Sequence, residues 1–526
     1  MNHSATISGA APDIVRSRYF TMRFASWLKR HFARTTLWSA TLLTLAWQYE
    51  NWHGQRALEK QRRLWVAEYG EMKWEDLTPA RVPDEENFFA APVFETFIAS
   101  NTPGFSEYSP DATAHQAAQA MPHARFLHMQ APKLKMCEGV VPESTTAPGL
   151  KTLDISAWAS EQQTGGKSPT TGTSDAAWLH ASMPEDATVR GLVEALSRPQ
   201  SAILPQAADR MALVRNLKDP GAIPLLSFSG CWDLCKHLTL RARAAARAGD
   251  GASARNLTEV ISRLQEGISK SSSLVGHLVE SAIEVFLLDA VAEGLATKCW
   301  NDADLQILAA RLDRVDEEKS LLAALTNESF CVHMLPVEDV FARVRRDLGG
   351  RSNWDWEKFR KDPDRLMLWL ATSGPVGWYS ANLAQHLRLW QRLLIPNGPG
   401  DDLRTLAGKM SIGIQEMETE SKVMKSPRDI VSRHLLPNLG DIPKRALEHQ
   451  TRRRQLLMAI AAERFALTHG QYPATAEAMV PDFLANIPHD PYQPGTQLRY
   501  ETGTAGERYR LISVGKDSVL AMPMQL

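Results

Sequence analysis

The sequence predicts a mainly α protein: an N-terminal membrane or stalk helix, then a body of repeat-like α-helical hairpins, then a small C-terminal α+β module with a short antiparallel sheet. Three observations carry that prediction. Fifteen residues without a charge, Thr35 to Tyr49, lie near the start. Apolar residues recur at three-and-four spacing through the middle third. Near the end, two stretches of alternating polarity follow a helix stopped by glycine. The segments divide as 1–34, basic N-terminus; 35–49, transmembrane or signal-anchor segment; 50–78, helical stalk; 79–185, mixed region with a flexible linker at about 140–175; 186–440, helical body; and 441–526, α+β module.

At roughly 1.5 Å of rise per residue the charge-free run covers about 22 Å, short of the about 30 Å of a hydrocarbon core. Trp38, Trp47, Tyr49 and Trp52 suit the two interfaces, and Arg30 and Arg34 have stems long enough to snorkel. Arg16, Arg18, Arg23, Lys29, Arg30 and Arg34 precede the run against the single acid Asp13, although Arg56, Lys60, Arg62 and Arg63 follow it. The expectation is an uncleaved single-pass anchor in the inner membrane, through residues 35–49, with the N-terminus in the cytoplasm and the body in the periplasm. An amphipathic surface helix of a soluble protein and a cleaved signal peptide are the competing readings. The second lacks a small-x-small site, since Ala46 is followed by Trp47.

One glycine and no proline interrupt Glu50 to Glu68, so the helix is expected to continue as a stalk until Pro79, Pro83 and Pro92. Pro83-Asp84 to Phe88-Phe89 reads as a capped turn. From Val140 to Asp175 the composition shifts, with Ser160 to Ser174 almost devoid of apolar residues, which predicts a linker or long surface loop. Its Gly166-Lys167-Ser168 is not a phosphate loop, because Glu161 stands where a glycine is required and no strand pattern precedes it.

In the body, Leu238–Ala248 and Ala252–Ile268 flank Gly249-Asp250-Gly251 as a helical hairpin. Val275, Leu278, Val279, Ala282, Ile283, Phe286 and Ala290 predict one buried helix face. Asn301 is a good N-cap, with Asp304 in the first turn, for a helix carrying Leu305, Leu308, Ala309 and Leu312. Trp354 to Leu394 continues the helices, interrupted at Gly374-Pro375. Asp401-Asp402 reads as the next N-cap.

The final module opens with Ile442 to His469, whose only proline, Pro443, is tolerated in a first turn, and Gly470 stops it. Leu457, Ile460, Ala461 and Phe465 form the apolar stripe, while Arg452, Arg453 and Arg454 are expected on a solvated face, with contact to an acidic partner as the alternative. A short helix near Thr475 to Phe483 and strands at Leu498–Thr502 and Arg508–Val514 follow.

The strings Gly470-Gln471-Tyr472-Pro473, Pro488-His489-Asp490-Pro491-Tyr492, Leu498-Arg499-Tyr500 and Ser513-Val514-Gly515-Lys516-Asp517 resemble, in kind and order, the globular end of the type II secretion major pseudopilin. The resemblance covers about 75 of 526 residues and implies a pilin-like fold there. In that family the loop around the last aspartate binds calcium, which would place the role on Asp517. Ser518-Val519-Leu520 follows instead, without a second clustered carboxylate, and calcium needs six to eight oxygens, so no metal is assigned. The apolar segment lies some 400 residues upstream, which departs from a polymerising pilin subunit. The whole chain looks similar to uncharacterised bacterial exported proteins sharing a W-x-x-x-x-G stalk (Trp47 to Gly54 is a loose match), the P-D-x-x-N-F segment (Pro83, Asp84, Asn87, Phe88) and this tail.

Composition narrows function by exclusion. With 59 basic and 60 acidic residues, a formal charge of -1 supplies no field to attract nucleic acid. Five cysteines, at 137, 231, 235, 299 and 331, make neither a disulfide framework nor a zinc site, and Cys231 and Cys235 are expected to be small buried residues. No HExxH, GxSxG, GxGxxG or GxxxxGKS string is present, and His489-Asp490-Pro491 reads as a turn before a strand. No catalytic, cofactor-binding or metal residue is assigned. The expected function is a non-enzymatic envelope scaffold or protein-binding module whose partners are other envelope proteins. The alternatives are an accessory of a type II secretion-like system and an enzyme with a site assembled from distant residues of the helical body.

Overall fold

The computed structural model describes residues 12–71, 82–97, 134, 137–183, 185–202, 228–270, 274–334, 360–394, 403–435, 439–504 and 506–524. The chain is mostly helical, with two small antiparallel sheets, one of them C-terminal. In order, the elements are α1 (Pro12–Tyr69), β1 (Glu143–Ala147), β2 (Leu150–Leu153), α2 (Ile155–Thr164), α3 (Asp175–Ser182), α4 (Ala187–Glu194), α5 (Phe228–Arg247), α6 (Gly251–Ser269), α7 (Leu274–Thr297), α8 (Asp302–Asp313) and α9 (Glu317–Met334). They continue as α10 (Pro363–Ser373), α11 (Val376–Leu393), α12 (Leu403–Ser421), α13 (Ile430–Leu435), α14 (Ile442–His469), β3 (Arg499–Thr502), β4 (Glu507–Ser513) and β5 (Ser518–Pro523). Contacts divide them into two units: Met1–Leu64 with Val344–His386 and Met424–Leu435, and Trp65–Arg343 with Leu387–Val423 and Leu436–Leu526.

In the first unit, helix α1 is unbroken, as the absence of proline predicts. Leu37, Trp38, Leu42, Leu43 and Leu45 are 60–71% exposed, so the charge-free run is not packed into a core. The threonines within it turn their hydroxyls back onto the helix: Thr35 donates to His31 O, Thr36 to Phe32 O, Thr41 to Leu37 O and Thr44 to Ala40 O, at 2.7–2.9 Å. Among the described residues, no helix is long and apolar enough to cross a membrane.

Farther along α1, Gly54 meets Gly377 of α11 so closely that a Cβ on Gly54 would lie 1.8 Å from the Gly377 carbonyl oxygen. Two glycines let these backbones touch. The crossing is fixed by Asn51, which accepts from Gly377 N at 3.0 Å, and by Glu50, which accepts from Trp378 Nε1 at 2.8 Å and from Arg428 Nε at 2.9 Å. Asn382 then organises α13: its Oδ1 accepts from Val431 N and Ser432 N while its Nδ2 donates to Pro427 O.

The second unit is built around α5, α6 and α7, which pack pairwise against one another. The α5–α6 hairpin turns where expected. Gly249 takes φ 81°, and the side chain of Asp250 accepts from Ser253 N, capping α6. Alanines 242, 245 and 246 and the cysteines 231 and 235 give α5 a thin buried edge, which permits that close packing. Both cysteines are small buried residues, and burial pushes the Cys231 thiol up to about 12. Helix α8 begins on a full capping box between Asn301 and Asp304 and buries Leu305, Leu308 and Leu312.

The stretch read as a linker, 140–175, is structured over most of its length. Glu143–Ala147 and Leu150–Leu153 form a hairpin and Ile155–Thr164 a helix capped by Asp154. Leu150, Leu153, Ile155, Trp158 and Ala159 face inward, joined by the polar Thr152 and Gln162, while most of the other residues are partly or fully exposed. Gly149, at φ 71°, takes the turn, and there is no room for a Cβ, since one would lie 1.9 Å from Val519 O of β5.

Helix α14 ends as expected, with Gly470 at φ 74° and its N–H bonded to Ala466 O. A 3-10 turn, Ala476–Met479, stands where a short helix was expected. The sheet order is β3-β4-β5, all antiparallel, with Tyr500 opposite Leu511 and Leu511 opposite Leu520. The sequence pattern predicts no strand at β5. That strand carries Leu520, Ala521 and Met522 consecutively buried rather than alternating, which hides it from a period-two search. Nor does a separate core begin at 441: α14 and the sheet bury Leu456, Ile460, Tyr509 and Leu511 in the same apolar cluster as Leu238 of α5, Ile261 of α6 and Val291 of α7.

Candidate functional site

Helix α7 buries Ile283 and Ala290 of the expected apolar face but departs from it at Val275 and Leu278, and the departure locates the chemistry. Val275 and Leu278 are 44% and 40% exposed, whereas His277, Glu280, Glu284 and Glu293 are at most 4% exposed. A buried carboxylate costs several kcal/mol unless a cation and hydrogen bonds compensate it. The fold supplies those partners from distant elements.

Glu293 accepts from Arg243 Nε of α5 at 3.0 Å and from Leu153 N of β2 at 3.2 Å, and lies 3.2 Å from Arg247 Nε. Burial nevertheless holds its pKa above the ordinary carboxylate value, against the pull of both arginines. Glu280 accepts from Ser320 of α9 at 2.5 Å and lies 3.4 Å from His277 Nδ1. Glu284 accepts from Arg453 Nε of α14 at 2.8 Å, and the same guanidinium reaches Glu317 of α9 at 2.9 Å. Burial, then the adjacent Glu284, raises the Glu317 pKa well above the usual range. His449, 3.1 Å from Ser281 Oγ and 3.8 Å from Glu284, is kept below its ordinary pKa chiefly by burial.

Arg453 is therefore not on a solvated face: its side chain is 4% exposed and it ties α7, α9 and α14 together. A second such tie is Arg508 of β4, which donates to Leu295 O at 2.8 Å, Ala296 O at 3.2 Å, Pro523 O at 2.8 Å and Glu463 at 2.5 Å. It satisfies carbonyls at the C-terminal end of α7, where a cation also complements the helix dipole. Tyr472 and Tyr509 donate to the same Glu463 carboxylate at 2.9 and 2.8 Å.

Glu284, Glu317 and His449 offer ligand atoms within 4.8 Å of one another, which invites a metal. The donor set does not fit one. The Arg453 guanidinium bonds to both carboxylates, so their cation is already covalently part of the chain. Three donors also fall short of the four of a closed zinc site.

Residues weighed from sequence occupy structural roles. Lys167 forms an ion pair with Glu138. Asp490 is 1% exposed and accepts from Tyr492 N, Ser513 Oγ and Gly515 N, each at 2.9 Å, locking the turn expected there. Asp517 takes φ 55° in the β4–β5 turn, a position aspartate tolerates. Asp401-Asp402 lies outside the described residues. The sequence signal for the buried ladder was available: Glu280, Glu284 and Glu293 recur at four and nine residues along a mostly apolar helix.

Compared with known proteins, the chain matches no family model, no curated protein and no solved structure.

Proposed function

We propose that this protein is a membrane-tethered, non-enzymatic scaffold, held in the bilayer through residues 35–49 and presenting its helical body to other envelope proteins. The carrying observation is the exposed, charge-free stretch of α1, whose five large side chains at 60–71% exposure face no protein core. Each recovers roughly 1 to 2 kcal/mol on leaving water, and the threonine hydroxyls between them are satisfied within the helix, which lowers the cost of entering lipid. The buried polar groups of α7 are committed largely to partners inside the fold, as in a frame that holds shape.

The test is fractionation of cells expressing the full chain, followed by carbonate washing. The protein should remain in the membrane pellet, and the double substitution Leu42→Glu with Leu43→Glu, at roughly 2.5 to 3.5 kcal/mol per mid-helix charge, should release it. Unsubstituted chain in the soluble fraction would remove the reading.

A second reading, contact with pseudopilins of a type II secretion-like system, is favoured by the order of α14, a loop and an antiparallel sheet. Photocrosslinking from exposed positions Asp482 and Arg499 tests it, with a pseudopilin adduct as the expected product.

A further inference from the structure

An open cleft of about 440 Å³ lies in the second unit, between the β1–β2 hairpin, α7, α14 and the β4–β5 turn. Its charged lining is Lys151, Asp289, Glu448, Arg452 and Lys516. Glu448 and Lys516 neutralise each other at 2.5 Å. Among the described residues, neither Arg452 nor Asp289 forms a hydrogen bond or an ion pair, in contrast to the engaged carboxylates of α7 on either side. The Ser518 hydroxyl, also on the lining, has no hydrogen-bond partner. Burial depresses the Arg452 pKa against the field of Asp289, and raises that of Asp289 against the fields of Arg243 and then Arg452. A guanidinium and a carboxylate that are half-buried on one cleft lining, with no side-chain partner inside the fold, are open to a ligand carrying the two opposite charges.

We infer that this cleft binds an amino-acid zwitterion, with Arg452 receiving the carboxylate and Asp289 the ammonium. A guanidinium matches a carboxylate bidentately. The cleft volume falls within the range of small-molecule sites, about 300 to 1,000 Å³. With the Glu448–Lys516 pair set aside, Arg452, Lys151 and Asp289 leave one net positive charge, so an acidic amino acid fits best, its side-chain carboxylate reaching Lys151 at the rim. This site is independent of the membrane reading.

Isothermal titration of the full chain in detergent with L-glutamate, glutarate and inorganic phosphate tests the assignment. One equivalent of glutamate should bind, glutarate should bind at least tenfold more weakly for want of the ammonium, and Asp289→Asn or Arg452→Gln should each weaken glutamate at least tenfold. Lys151→Ala, at an exposed position, should weaken glutamate severalfold while leaving the binding of glycine, titrated alongside, unchanged. Absence of saturable glutamate binding up to about 10 mM, or equal binding of glutamate, glutarate and phosphate, overturns the proposal.

Discussion

Replacing Arg453 with methionine removes the guanidinium that pairs with Glu284 and Glu317 while retaining most of the side-chain volume. The two carboxylates are 1% and 2% exposed, so neither gains water when the cation goes. Breaking a buried ion pair on one side costs about 3 to 5 kcal/mol. For a unit of about 400 residues, an unfolding entropy near 2.1 cal/mol/K per residue gives about 0.8 kcal/mol/K, so Tm should fall by about 4 to 6 °C. Thermal unfolding of the full chain in detergent at neutral pH measures it. The deficit should shrink in acid. Glu317 already has a folded pKa above its unfolded value of 4.5, so the folded state binds the extra proton and stability falls as pH rises through that interval. Without Arg453 the interval widens, and protonation at pH 5 relieves more of the cost. Adding Glu284→Gln and Glu317→Gln to Arg453→Met should recover most of the loss. A shift under about 1 °C, or a triple variant no better than the single one, would refute the claim that this cluster is buried and mutually dependent.

His386 is fully enclosed, and burial lowers its pKa from 6.5 to about 4. Between those values the unfolded chain holds the extra proton, so stability is present above pH 6.5 and lost as pH falls, by about 2 kcal/mol at pH 5; His386→Leu should flatten that part of the Tm–pH profile. Gly54→Ala should destabilise the first unit by about 2 kcal/mol or more, because the new Cβ meets backbone at 1.8 Å. Gly408→Ala in α12, where nothing lies within 4 Å, should instead stabilise by roughly 0.5 to 1 kcal/mol through helix propensity; Tm values of equal sign for the two glycine variants would contradict both assignments.

Local chemistry was legible in the sequence wherever it was decided locally. Gly249-Asp250, Asn301 with Asp304 and Gly470 act through backbone groups at most four residues away, and each lies in the expected turn or cap. The hairpin at 143–153 was not legible, because Glu143 to Thr146 carry no apolar side chain and its close fit depends on Gly149 meeting Val519, some 370 residues later. Of the α7 face expected inward, Ile283 and Ala290 are buried and Val279 and Phe286 pack against the core, yet Val275 and Leu278 are exposed and acids share the interior. Periodicity ranks faces by hydrophobicity and has no access to a cation delivered by another helix.

That limit explains both the ladder and the cleft. Glu284 is separated from Arg453 by 169 residues and Glu293 from Arg243 by 50, so neither carboxylate shows its partner in any local window. The same long reach changes what the C-terminal resemblance implies. A pilin-like cap standing alone would need only its own helix and sheet. Here Arg508 of the sheet donates to the last carbonyls of α7, Gln455 of α14 donates to Leu511 O and Ser518 O, and Ala521 N of β5 donates to Pro148 O in the β1–β2 hairpin. Removing residues 441–526 would therefore strip Glu284 and Glu317 of their cation and α7 of its cap, and expose the apolar residues beneath. Loss of function on truncation would report the collapse of the body and say nothing about a partner of the tail. Only surface substitutions that leave Arg453, Gln455 and Arg508 in place can separate the two.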